Sequence, residues 1–183
     1  MKRAAIAFCV DVDPRRFDHY VFRDKLPFPA PVPPANYTLE NAYDLRLFLD
    51  LMTQGGVSMD QASEIVASGT DKLMVHPLNQ NPGAADLWVG AALIHDPDLG
   101  EGNDAFHTFF VAGTMIELAV DAEATAKEYG DKSRLMRVIA ANASAAARLV
   151  AARAHEMGLP EAADIPQIET RAAYNVSIGR GER

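Results

Sequence analysis

Cysteine is almost absent from this chain, and long apolar runs are absent too. Cys9 is the only cysteine, so one copy cannot form an internal disulfide or a cluster of thiolate metal ligands. The longest apolar runs, residues 87–95 and 109–116, are far shorter than the roughly 20 residues that cross a bilayer. Asp11 and Asp13 interrupt the short apolar stretch near the N-terminus, which predicts no signal peptide. We therefore expect a cytoplasmic protein without membrane contact.

Positive charge is also scarce. The net charge of −8 argues against a protein that coats nucleic acid without regard to sequence. Residues 1–70 contain 7 Lys and Arg against 9 Asp and Glu, and residues 71–183 contain 10 against 16. The acidity is concentrated in the second part, so a contact with nucleic acid is expected in the first.

Signatures of catalysis are missing as well. Gly100 and Gly102 are not followed by the third glycine or the lysine of a phosphate-binding loop. No serine stands in the glycine-flanked turn that exposes a hydrolase nucleophile. A general base with a partner at recognisable spacing is lacking too. We expect a protein that is not an enzyme and binds no cofactor.

The segment beginning at Asp13 predicts a short amphipathic helix. Asp13 is suited to cap it, and Pro14 is tolerated at the first helical position because its missing N–H would have no partner there. With residues placed about 100° apart, Phe17 and Val21 fall on one side, with Tyr20 at the border. The opposite side is a basic face within an arc of about 100°. It consists of Arg15, Arg16, His19 and Arg23.

A shorter helix, predicted over residues 3–8, precedes the basic one. Two short helices in this order are typical of a helix-turn-helix, whose second helix enters the major groove of DNA. The alternative is a surface helix whose arginines are simply solvated. An extended connection follows, either a wing or an ordinary linker, because prolines block helix formation. These prolines are Pro27, Pro29, Pro31, Pro33 and Pro34.

Two further helices complete the first part of the chain. Thr38 is suited to cap a helix over residues 39–53 that has a broad apolar face and ends before Gly55. Ser58 and Gln61 have the spacing of a capping box, which predicts a helix that ends near residue 69.

Taken in order, these segments resemble the DNA-binding domain of the MerR family over about a third of the chain. That family has a helix, a turn, a recognition helix, a wing and two helices, the last opening after a Gly-hydrophobic-Ser turn. The similar segments are Val12-Asp13-Pro14-Arg15-Arg16-Phe17, Tyr20, Asp24-Lys25-Leu26-Pro27, Tyr37-Thr38-Leu39-Glu40-Asn41 and Gly56-Val57-Ser58-Met59-Asp60-Gln61-Ala62. The chain departs from the family at Asp18, where an arginine is usual, and at Asp24, where a glycine is usual.

The resemblance implies that the basic helix is the recognition helix of a winged helix-turn-helix that binds double-stranded DNA. Arginine offers a planar fork for phosphates and guanine edges, and His or Tyr can donate to phosphate. The predicted DNA-binding residues are Arg15, Arg16, His19, Tyr20, Arg23, Lys25 and Tyr37.

The second part of the chain predicts a β-hairpin and helices. Residues 87–95 and 106–118 predict two strands joined by a polar loop. A helix is predicted from about Val120 to a break near Gly130, and another from Ser133 to Met157. The inner stripe of the latter is Leu135, Ile139, Ala143, Ala146, Val150, Ala154 and Met157. Its alanines suit a dimer seam, or equally a helix packed on the hairpin.

Two alternatives for a ligand site fall in this part of the chain. A metal site would have to use His95, Asp96, Asp98, Asp104 and His107, but Glu101 stands where a calcium loop needs its glycine. We therefore interpret these residues as a solvated loop and predict no metal site. Trp88 and the pair Phe109-Phe110 are interpreted as core, with a ligand pocket as the alternative.

The sequence thus predicts a mixed α+β fold that is mostly helical. Residues 1–70 would be a winged-helix DNA-binding domain, residues 71–160 a hairpin-plus-helices unit for dimerisation or sensing, and residues 161–183 an extended tail. The predicted function is a sequence-specific transcriptional regulator of phage or prophage type, acting as a homodimer through its C-terminal unit. The alternatives are a protein-binding adaptor that kept the winged-helix shape, and a small ligand-binding protein or enzyme centred on residues 87–118.

Overall fold

The computed structural model describes residues 1–32, 36–98 and 105–165, which contain six α-helices and three β-strands. The helices are α1 (Arg3–Cys9), α2 (Pro14–Phe22), α3 (Leu39–Thr53), α4 (Met59–Thr70), α5 (Met115–Tyr129) and α6 (Ala143–Glu156). The strands are β1 (Leu87–His95), β2 (Phe106–Thr114) and β3 (Arg134–Asn142). A mixed fold in which helix predominates is therefore confirmed.

Helices α2, α3 and α4 begin where their caps were predicted. Asp13 caps α2 by accepting from the backbone N–H groups of Arg15 and Arg16, at 2.8 and 3.4 Å. Capping boxes open α3 at Thr38 and α4 at Ser58. Each cap satisfies donors that the helix itself leaves unpaired, so these boundaries are set locally.

The three strands form one antiparallel sheet in the order β2-β1-β3. Strand β1 agrees with its prediction, but β2 ends at Thr114 and not at Leu118. Thr114 instead opens α5 with a capping box to Glu117, so the predicted start of this helix near Val120 was also wrong. A local side-chain cap here stops a run of apolar residues from continuing as a strand.

The predicted helix over residues 133–157 was wrong in its first part. Residues 134–142 are strand β3, which pairs with β1 from His95 and Arg134 to Trp88 and Asn142. Leu135 and Ile139 matched a helical stripe only by their spacing. Pairing with the open edge of β1 decides their conformation, and Asn142 then caps α6 by accepting from the N–H of Ala145 at 2.8 Å.

A single large core includes residues from both halves of the chain. Phe17 and Phe48 from the first half share it with Val89 and Val150 from the second. Helix α5 covers the other face of the sheet in a smaller cluster around Leu118. The predicted boundary at residue 70 coincides with the end of α4, but α4 packs on β1. The independence of two domains stays a prediction.

The alanines of α6 are buried within the folded protein. They are buried against the neighbouring helices α1 and α3, so they are not available as a dimer seam. The predicted alternative, a helix packed on the hairpin, agrees with the contact between α6 and β1. The buried alanines are Ala143, Ala146, Ala147, Ala151 and Ala154.

The connection between α2 and α3 contains no strand in residues 26–32 and 36–38. Pro33 and Pro34 lie outside the described residues, as do the loop residues 99–104 and the tail residues 166–183. Among the helices that the structure describes, none has the length and apolar composition to cross a membrane.

Strands β1 and β3 approach each other closely at Gly90 of the central strand. A Cβ at this position would lie 2.2 Å from the carbonyl oxygen of Ile139 and 2.8 Å from the Cα of Ala140. Replacing a strand glycine ordinarily raises stability slightly, because glycine loses more entropy on folding. We expect Gly90→Ala to lower the free energy of unfolding by about 1–3 kcal/mol instead, measured by urea denaturation.

Ala67→Ser, on the exposed side of α4, is the control and should change stability by less than about 0.5 kcal/mol. A Gly90→Ala variant that is more stable than the parent would contradict this close approach.

Candidate nucleic-acid interface

Helix α2 is held to the body of the protein by aromatic side chains. Phe17 and Tyr20 are buried, with 1% and 4% of their surfaces exposed. The ring of Phe17 packs edge-on against Tyr37 at a centroid distance of 5.5 Å, and Tyr20 packs against Phe48 at 5.8 Å. These contacts fix the rotation of α2 about its own axis, and therefore fix which side chains face solvent.

The basic face of α2 is exposed, as predicted. Arg15, Arg16, His19 and Arg23 are all exposed. Within the described part of the chain, no carboxylate forms an ion pair with any of these arginines. Arg16 donates from its Nε to the hydroxyl of Tyr20 at 2.8 Å, which orients its guanidinium. The helix thus presents three guanidinium groups that no neighbouring acid neutralises.

The other three predicted contact residues are differently placed. Tyr20 and Tyr37 are buried, so they hold α2 in position and offer little surface to a ligand. Lys25 is paired with Asp60 at 2.6 Å, and this ion pair joins the end of α2 to α4. The structure therefore brings Arg15, Arg16, His19 and Arg23 together on one surface and leaves these three as supporting residues.

Two further residues of α2 lie on its exposed side and were not among the predicted contact residues. Phe22 is 88% exposed, although it is aromatic. Its helical spacing from Arg15 could have shown this, since seven residues are close to two full turns. Asp18 is the one acid on the exposed side, and Arg3 of α1 lies 3.3 Å from its carboxylate. This ion pair reduces the negative charge beside the basic face.

The turns around α2 use left-handed backbone conformations. Asp11, before the helix, has a φ of 58°, and Asp24, after it, has a φ of 52°. Aspartate is among the few residues other than glycine that adopt this conformation readily. Gly56, in the turn before α4, also has a positive φ of 66°.

Both histidines of the hairpin lie against aromatic rings, and one of its acids forms an ion pair. His95 packs against Phe106, and His107 stacks on Tyr129 at 4.4 Å. Asp98 pairs with Lys132 at 2.9 Å. In residues 1–32, 36–98 and 105–165, no group of three or more His, Cys, Asp or Glu side chains is placed to hold a metal ion; Asp104 lies outside these ranges.

Cys9 is buried in the core, and burial raises the pKa of its thiol to about 11. A protonated thiol is a poor nucleophile and a poor metal ligand, so this residue acts as a small apolar side chain.

An open cavity of about 630 Å³ lies between the segment after α4 and the junction of β2 with α5. Its apolar wall includes Leu73, Val75 and Leu87, and its polar wall includes Glu117 and Asp121. The volume falls within the range of small-molecule sites. The cavity is at the end of the hairpin and is not lined by Trp88, His95 or His107.

No protein family, curated protein or solved structure matches this chain.

Acidic residues on and near α3 make the stability of the folded protein depend on pH. Burial, and then the charges of Glu40 and Asp71, raise the pKa of Asp44 from 3.8 to about 7. A carboxyl whose pKa is higher in the folded state makes folding less favourable as the pH rises from 3.8 to about 7. His76, whose ring packs on Tyr43, has a pKa lowered chiefly by burial, and it acts in the opposite direction, by favouring unfolding as the pH falls.

We expect Asp44→Asn to flatten this pH dependence and to be more stable than the parent at pH 8. Urea unfolding at a series of pH values measures it. Glu64→Gln, at an exposed position on α4, is the control and should leave the profile unchanged. An Asp44→Asn profile that runs parallel to that of the parent would contradict the raised pKa.

Proposed function

We propose that this protein binds double-stranded DNA through α2 and regulates transcription, without enzymatic activity. One observation carries the proposal: an anchored helix presents three unneutralised arginines and a histidine on a single exposed face. Such a face attracts the phosphate backbone, and its fork-shaped side chains can hydrogen-bond to guanine in the major groove. The net charge of −8 would then confine contact with DNA to this surface.

The order of elements supports a MerR-like winged-helix arrangement. Helices α1 and α2 are followed by an extended connection and by α3 and α4, in the order that the resemblance predicts. Left-handed turns at Asp24 and Gly56 fall at the positions of the family's glycine turns. The connection between α2 and α3 would serve as a wing without strand pairing in residues 26–32 and 36–38.

We further propose a homodimer that joins two copies of α2 on a two-fold DNA site, because one short helix contacts too little DNA for tight binding. Since the α6 alanines are buried within one copy, helix α5 is the better candidate for the dimer surface. It exposes Met115, Ile116 and Val120, by 47%, 77% and 59%.

The salt dependence of binding tests the DNA proposal. We expect fluorescence anisotropy with a random-sequence duplex to show binding that weakens steeply with salt. Arg16→Ala and Arg23→Ala should each weaken it and lower the salt slope by about one unit, because each removes one phosphate contact. Lys132→Ala, which removes an exposed charge in the turn between α5 and β3, is the control and should leave the slope unchanged. Equal slopes for all four proteins would contradict the assignment of α2.

The oligomeric state tests the dimer proposal. We expect sedimentation velocity to show a dimer, and Val120→Glu to shift it toward monomer because a charge would be buried at the interface. Val32→Glu changes an exposed valine in the connection between α2 and α3, and this variant should remain dimeric. A parent protein that is monomeric at micromolar concentration would contradict the proposal.

A second candidate function is favoured by Phe22. An exposed aromatic on an otherwise polar helix face is also typical of a protein-binding surface. An adaptor that kept the winged-helix shape would bind a protein through this residue and would show no salt-dependent binding to DNA.

A further inference from the structure

Phe22 is an aromatic side chain that the fold leaves in solvent. The other two aromatic rings of α2, Phe17 and Tyr20, are almost fully buried, whereas Phe22 is 88% exposed. It therefore contributes little to the core. Nothing in the packing of α2 requires an apolar residue at this position, because Phe17, Tyr20 and Val21 already form the apolar side.

Helix geometry places Phe22 on the exposed face, between Arg15 and Asp18. Relative to Arg15, it lies about 20° to one side, and His19 lies about 40° to the other. These three residues are the ones opposite the buried Phe17. Arg16 and Arg23 are further round, about 80–100° from Arg15 on the side of His19. In a complex with a duplex, the residues opposite Phe17 would contact the base edges. Arg16 and Arg23 would contact a phosphate backbone.

The charge distribution on α2 supports the same assignment of base contacts and phosphate contacts. Asp18 lies beside Phe22 on the side away from the arginines, and its ion pair with Arg3 is exposed. This side of the face is therefore less basic than the side of Arg23. A phosphate backbone is attracted to the arginine side, which leaves Phe22 over the floor of the groove.

The side chain of phenylalanine has no hydrogen-bonding group, so it cannot read the donors and acceptors of base edges. The apolar group that the major groove displays is the C5-methyl group of thymine. We propose that Phe22 is a specificity-determining residue that contacts a thymine methyl group in the recognition site. This inference rests on the proposed DNA-binding function and adds to it one base identity and the residue that reads it.

The test uses deoxyuridine, which differs from thymidine only by the missing methyl group. A binding site is first selected from a random duplex pool with the full chain, and each thymine in it is then replaced singly. We expect one replacement in each half-site to weaken binding by about four-fold, the value of one buried methyl group. The other replacements should have little effect.

Variants then assign the effect to Phe22. Phe22→Ala should bind the thymidine and deoxyuridine sites equally, whereas Phe22→Leu, which remains apolar, should keep part of the preference. Arg23→Ala is the matched control, and it should weaken binding to both sites while preserving their ratio. Circular dichroism of each variant should match that of the parent, because Phe22 and Arg23 are both exposed.

Three outcomes would overturn the inference. The parent could bind all deoxyuridine sites as well as the original, or Phe22→Ala could retain the full preference for thymidine; in either case DNA binding itself stands, and only the role of Phe22 falls. Absence of salt-dependent binding to any duplex would instead reject the proposed function, and the inference with it.

Discussion

Helix α3 is the element on which the rest of this structure depends. Of its residues only Glu40 and Thr53, near its two ends, are exposed, and Phe48 and Leu51 near its middle are completely buried. It packs against α1, α4, α6 and β3. Burial on nearly all sides removes much apolar surface from water, which is the main favourable contribution to folding. Elements from both halves of the chain are therefore organised around one helix.

Arg46 and Asp50 of α3 form polar contacts that reinforce this arrangement. Arg46 makes a two-point contact with Asp50, at 2.7 and 3.1 Å, and also donates to the carbonyl oxygen of Val10 at 3.2 Å. The hydrogen bond from Arg46 to Val10 joins α3 to the end of α1. Because α1 and α3 both hold α2, through Arg3 and through Phe48, the orientation of the basic face follows from the packing of α3.

The C-terminal part has a different role in this arrangement. Strand β1 is paired on both edges, and the sheet is covered by α4 and α6 on one face and by α5 on the other. Most apolar residues of this part are buried within one copy of the chain. Apolar surface remains exposed on α5, and the open cavity lies beside the start of this helix.

The sequence by itself determined the features that depend on neighbouring residues. The caps at Asp13, Thr38 and Ser58 and the two sides of α2 were predictable because a cap and a helix face need only a few adjacent residues. The basic face was found in this way, and the exposure of Phe22 follows from the same periodicity. The residues of β1 were predictable because their apolar, β-branched composition is typical of a buried strand.

Only the tertiary structure decided the features that depend on distant partners. Residues 134–142 have a helical spacing of apolar residues, but they form a strand because the edge of β1 offers hydrogen-bond partners that a local pattern does not reveal. The alanines of α6 suited a dimer seam or an internal contact equally well, and the position of α3 decided for the latter. The roles of Tyr20, Lys25 and Tyr37 likewise depended on where Phe48, Asp60 and Phe17 lie in space. Burial and pairing are properties of the assembled chain, because they require groups far apart in sequence to occupy the same place.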